Sequence, residues 1–134
     1  MGQSDFKGVV PALITPMDGD GALHEESLRA VFESNVEAGV HGFWVAGGTG
    51  ESILLSDGEN RRIAEIVADQ NRGRVKNIMH VGAPTTERAV ALARHAASVG
   101  VEAICCVPPF FYRRTDREIV DHYRAVGDAA GLPL

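Results

Sequence analysis

The stretch "FWVAGGTGESILLS" (Phe43–Ser56) decides how the rest of this chain is read. An apolar run enters Gly47, Gly48, Thr49, Gly50 and Glu51, and Ser56 with Glu59 then makes the capping-box pattern of a helix start. A buried strand ending in a turn so bare of side chains has two readings. Either the turn needs tight geometry, or a small anion lies against its backbone, since glycines let N–H donors approach a ligand closely.

Working outward, strand-like and helix-like patterns alternate. "VVPALIT" (Val9–Thr15), interrupted by Pro11, precedes "GFWVAGG"; "KNIMHVG" and "VEAICCVPP" follow. These runs are nearly all apolar, as strands covered on both faces of a parallel sheet are. The first helix carries Leu28, Val31, Phe32 and Val36 on one stripe, opens on Glu25 and Glu26, and stops before Gly39. The second puts Ile63, Ile66 and Val67 behind the Ser56–Glu59 box. The third follows Thr85, is alanine-rich and stops at Gly100. Thr115 and Glu118 form another box, opening a helix with Ile119, Val120, Tyr123 and Val126 that closes near Gly131. Four β-α units are followed by "LPL", the expected start of a fifth strand. Regular β-α alternation implies a parallel sheet with right-handed crossovers. An open doubly wound sheet, such as a flavodoxin-like domain, and part of a β/α barrel both satisfy the pattern. Length favours the open sheet, because a complete barrel needs about 250 residues.

The 134 residues suit a single domain, 45% hydrophobic and 23% charged. A net charge of −5 with interspersed signs gives no basic patch for nucleic acid. No apolar run is long enough to span a bilayer, and the first ten residues lack a signal-peptide pattern, so a cytoplasmic location is expected. Adjacent Cys105 and Cys106 point to opposite faces of a strand and are read as buried packing, not as a framework disulfide. The five histidines make no metal-ligand spacing. His24, His41, His95 and His122 are read as surface or helix positions. His80 ends its strand on the side of Thr49 and is read as a hydrogen-bonded core histidine. No glycine fingerprint or Walker loop supports nucleotide binding.

At "GGTGES" the chain resembles the dihydrodipicolinate synthase / N-acetylneuraminate lyase family of class I aldolases. The resemblance continues through "GVVPALITPMDGDGALHEESL", "HVGAPTTERAVALARHAASVGVEAICCVPPFFYR" and "DHYRAVGDAAGLPL", the last especially like the lyase branch. It implies that residues 1–134 are the N-terminal half of a (β/α)8 TIM barrel, an α/β fold of four β-α units plus the start of a fifth strand. It also implies a Schiff-base-forming 2-oxo acid lyase or aldolase, with pyruvate as the shared substrate moiety, no cofactor or metal, and a homo-oligomer, typically a tetramer. Gly48 and Thr49 correspond to the loop that holds the pyruvate carboxylate. Glu51 is expected to hydrogen-bond backbone or neighbouring loops.

Two departures from the family pattern bear on the branch. Many relatives have Ser or Thr where this chain has Gly48, so the loop keeps its backbone donors but loses a hydroxyl. Synthases carry two tyrosines where this chain has Phe110 and Phe111, with Tyr112 one position on, which points away from dihydrodipicolinate synthesis. Phe111 and Tyr112 are expected at a subunit interface or at the site mouth. The family's Schiff-base lysine and catalytic tyrosine belong to the sixth and fifth strands, beyond Leu134, so no catalytic residue is assigned here. The two lysines, Lys7 and Lys76, precede or begin strands and lie at the face opposite to catalysis. The other reading kept open is a non-catalytic α/β half-barrel that binds or assembles with another chain.

Overall fold

The computed structural model describes residues 6–134. Its elements run α1 (Glu25–Glu37), β1 (Gly42–Val45), α2 (Asp57–Asn71), β2 (Lys76–His80), α3 (Thr86–Val99), β3 (Ala103–Cys105) and α4 (Asp116–Ala130). The three strands are parallel in the order β1-β2-β3, with Val45 opposite Met79 and Met79 opposite Ile104. Sequential parallel strands joined by same-handed crossovers put every helix on one face. The helices accordingly pack in chain order, α1 on α2, α2 on α3 and α3 on α4. An open sheet wound on both faces is thereby excluded.

The first expected strand is corrected. Val9–Thr15 does run parallel beside β1, where His41 N–H donates to Val9 O at 2.8 Å, Trp44 N–H to Pro11 O at 2.9 Å and Leu13 N–H to Trp44 O at 2.9 Å. It forms only one β-bridge, Ala12 with Trp44. Pro11 sits between Val9 and Leu13 on the pairing edge and has no N–H to give, so the ladder breaks there. At the far edge Ile104 N–H donates to Pro133 O at 2.9 Å, so the end of the chain lies where a fifth strand would begin.

The alternation of strand side chains sorts them cleanly. Phe43, Val45, Met79 and Ile104 point to the helices and are buried, with Phe32 of α1 stacked on Phe43 at a 4.4 Å centroid distance. On the other face Trp44 is 43% exposed and Ile14 50% exposed. Both expected capping boxes, Ser56–Glu59 and Thr115–Glu118, are present with reciprocal bonds. No helix among the described residues is long and apolar enough to cross a membrane.

Ion pairs staple the outer surface. Glu33 of α1 takes Arg74, beyond the end of α2, at 2.6 Å, and the Gln70 amide at 2.7 Å. Arg74 first and Gln70 second hold its carboxyl down from the usual 4.5 to about 2. A carboxylate depressed in the folded state contributes stability above its unfolded pKa and loses it as pH falls toward the folded value. Glu33→Gln should therefore flatten the decline in urea midpoint between pH 4.5 and about 2 while lowering the midpoint only slightly near neutrality. An unchanged acid limb in that variant would show that the pair contributes nothing.

Candidate functional site

β1 ends at Val45, and the chain reverses through left-handed backbone at Ala46 (φ 49°) and Glu51 (φ 58°). Non-glycine residues in this region are strained, so the surrounding contacts must hold the loop. Those contacts are specific. Glu51 N–H donates to Gly48 O at 3.1 Å, Ser52 N–H to Gly47 O at 3.4 Å, and Leu54 N–H to Glu51 O at 2.9 Å. Thr15 Oγ1 donates to Gly50 O at 2.6 Å, tying the loop to the N-terminal run. Gly50 is obligatory, because a Cβ there would lie 2.8 Å from Ala46 Cα and 3.1 Å from Leu13 O. A Cβ at Gly47 would meet the Trp44 indole at 2.8 Å.

Gly48 differs from these two: a Cβ there would meet nothing within 4 Å. Gly48 and Thr49 are exposed at the turn. Among the described residues their amides donate to no backbone carbonyl. The loop thus presents free backbone donors beside open space, an arrangement suited to an anion.

A cavity of about 350 Å³ opens beside the loop, lined by Gly47, Gly48, Glu51, Ser52, His80 and Val107 together with Ile53 and Leu54. His80, from the end of β2, is buried and hydrogen-bonded, as read from the sequence, through Nδ1 to Ser52 Oγ at 3.0 Å. Val107 N–H donates to its Nε2 at 3.4 Å. An amide can only donate, so Nε2 accepts and the ring proton is on Nδ1, directed at Ser52 Oγ. Burial lowers the His80 pKa, keeping the ring neutral near pH 7. Gly82 makes room for that ring, since a Cβ there would fall 2.7 Å from His80 Nε2.

Of the residues expected at the site, Gly48 lines this cavity, while Thr49 stands on the exposed side of the turn and does not. Phe111 and Tyr112 lie in the β3–α4 loop, 89% and 69% exposed, and stack edge-to-face at 5.0 Å without lining the cavity. The Glu51 side chain is exposed and makes no hydrogen bond among the described residues, contrary to expectation. Ser52 and Thr15 escaped the sequence reading. The signal for Ser52 was its place directly behind the glycine loop. Cys105 and Cys106 are partly buried, with thiols pushed up by burial to about 12 and about 11, so neither is a nucleophile. His122 is a helix position, as read, and is buried in α4, its Nδ1 2.9 Å from Thr86 Oγ1. Its spacing from Ile119 and Val126 already put it on the inward stripe.

Lys76 begins β2 and, with Lys7, lines a shallow cleft at the opposite end of the sheet from Gly48. The five residues of β2 separate Lys76 from the site by about 13 Å of strand rise.

Residues 5–134 match the Dihydrodipicolinate synthetase family. The chain belongs to that family. It is 43% identical over 131 residues to an N-acetylneuraminate lyase of Citrobacter koseri, a match covering 97% of this chain and 44% of the relative. Among solved structures it superposes on N-acetylneuraminate lyase from Mycoplasma synoviae with a TM-score of 0.93 at 33% identity, covering 98% of this chain and 46% of that one. The sialic acid aldolase of Ruminococcus gnavus, solved as a catalytic lysine mutant, gives a TM-score of 0.93 at 31% identity, covering 97% and 43%. The chain therefore spans a little under half the length of these relatives, and its fold is the corresponding part of the TIM barrel.

The glycine contacts generate a paired prediction. Gly50→Ala should destabilise by about 1–3 kcal/mol, because the new methyl meets backbone that cannot move aside. Gly48→Ala should stay within about 0.5 kcal/mol of the parent. Thermal unfolding of the two variants checks this, and equal losses would mean that the loop geometry is misplaced.

Proposed function

We propose that this chain supplies the carboxylate-binding wall of a Schiff-base-forming 2-oxo acid lyase or aldolase, of N-acetylneuraminate type, which breaks or forms a carbon–carbon bond next to pyruvate. The observation that carries the reading is the free donor surface at Gly48 and Thr49, beside a cavity and at the C-terminal end of a barrel strand. The lyases among its relatives, 40–43% identical, favour this branch. Phe110 and Phe111 support the same branch, since phenylalanine has no proton to relay.

Trp44 is the sole tryptophan and its indole lies against Gly47, so it reports on the loop directly. Pyruvate should change its fluorescence saturably, and lactate, which lacks the carbonyl but keeps the carboxylate, should do so as well. No response to either would refute carboxylate binding at the loop. Borohydride added with pyruvate should leave the mass of this chain unchanged, because both lysines lie at the far end of the sheet. A reduced adduct at Lys7 or Lys76 would overturn that placement.

The uncovered sheet face bearing Trp44 and Ile14, and the exposed Phe111–Tyr112 pair, support a second proposal: copies of the chain associate. Sedimentation at micromolar concentration should show a dimer or larger species. A cooperative, well-folded monomer would argue for a self-sufficient unit instead.

A further inference from the structure

We propose that Ser52 is a ligand-contacting residue of this site, its hydroxyl turned toward the 2-oxo acid's carboxylate by His80. The inference rests on the reading of the loop as a carboxylate site. Three observations on the protein itself carry it. Ser52 and His80 are both more than nine-tenths buried, at 7% and 6% exposure, yet both line the cavity beside Gly48. The Val107 amide donates to Nε2, which fixes the ring proton on Nδ1 and makes Ser52 Oγ the acceptor of that proton. The serine's own O–H finds no acceptor among the described residues, leaving it free to donate into the cavity.

A buried hydroxyl with an idle proton costs free energy unless a partner completes it. The arrangement is a short relay: Val107 N–H to His80, His80 Nδ1–H to Ser52, and Ser52 O–H to a ligand oxygen. Each bond polarises the next. Gly48 contributes backbone but no side-chain donor, and Ser52 stands on the same cavity wall to provide one. Glu51 brings a carboxylate to that wall as well, so an anionic ligand needs every donor available there. The chemistry selected is a planar carboxylate small enough for a cavity of about 350 Å³.

The test titrates Trp44 fluorescence in the full chain with pyruvate and, separately, with methyl pyruvate, which has the same carbonyl but no carboxylate. Ser52→Ala should weaken pyruvate binding about tenfold or more, as expected for losing a hydrogen bond to a charged group, and leave the ester's binding unchanged. Adding Gly48→Ser to that variant should restore pyruvate affinity, since open space at position 48 accepts the new hydroxyl. Nitrogen-15 spectra of His80 should show the Nδ1–H tautomer in the parent chain. Unchanged pyruvate affinity in Ser52→Ala, with the parent still responding saturably, would overturn the role of Ser52 while leaving the loop reading intact. Equal weakening for acid and ester, with a lower unfolding midpoint, would assign Ser52 a structural role and overturn the inference. An Nε2–H tautomer would overturn the relay. A parent chain that responds to neither pyruvate nor lactate would overturn the loop reading, and this inference with it.

Discussion

Every described helix lies on one face of the sheet, and the remaining features follow from that asymmetry. Parallel strands taken in sequence order, each joined by a crossover of the same hand, leave no other place for the helices. The face toward them is filled by Phe43, Val45, Met79 and Ile104, all buried. Full burial of an aromatic or aliphatic side chain contributes about 1.5–3 kcal/mol, so this layer is a large part of what holds the sheet to its helices. The opposite face keeps Trp44 and Ile14 half in water. The same constraint brings the C-terminal ends of β1, β2 and β3 together, and only there can loops from three units share one cavity.

The loop after β1 is held by steric closeness more than by the number of its bonds. Gly50 passes so near Ala46 and Leu13 that no side chain fits, and left-handed backbone stands on either side of it at Ala46 and Glu51. Thr15 clamps the Gly50 carbonyl from the N-terminal run. The irregular first segment therefore matters although it is a poor strand. Its Pro11 breaks the ladder, but Leu13 and Thr15 a few residues on form the floor and the clamp of the loop. Strain at Ala46 and Glu51 persists because these contacts over-determine it.

The helices were legible because their ends are written locally. A serine or threonine with glutamate three residues on needs nothing distant to form a box, and the stops at Gly100 and Gly131 need only their own positive φ. The family resemblance separated half-barrel from open sheet, which periodicity alone left undecided. What stayed hidden depends on partners far along the chain. Nothing near Thr15 announces a bond to Gly50, 35 residues away. Ser52 meets His80 only because β1 and β2 are neighbours in register. Pro11 was visible, but its consequence needed the pairing edge. Glu51 was assigned bonds by its place in a motif, whereas its side chain is exposed at the cavity and makes no hydrogen bond among the described residues.

On the carboxylate-site reading proposed above, the part left to this half of the barrel is binding and orientation. Burial keeps His80 neutral and both cysteine thiols protonated at neutral pH, and the two lysines stand at the wrong end of the sheet. Among the described residues the cavity is lined by no cysteine or lysine, only by backbone and hydroxyl donors, His80, apolar side chains and Glu51. Such a wall cannot accelerate a reaction by holding substrate and transition state equally well. On the proposed reading its contribution is positional. A carboxylate fixed at one point leaves the adjacent carbonyl a narrow range of directions in which to meet an attacking group. In β/α barrels catalytic groups come from the ends of different strands, so a wall proposed to fix the acid and a proposed amine that attacks the carbonyl need not share a half. On the proposed reading, the close glycine contacts on this side have a clear value: an error of about 1 Å in the carboxylate's position would reach the carbonyl undiminished.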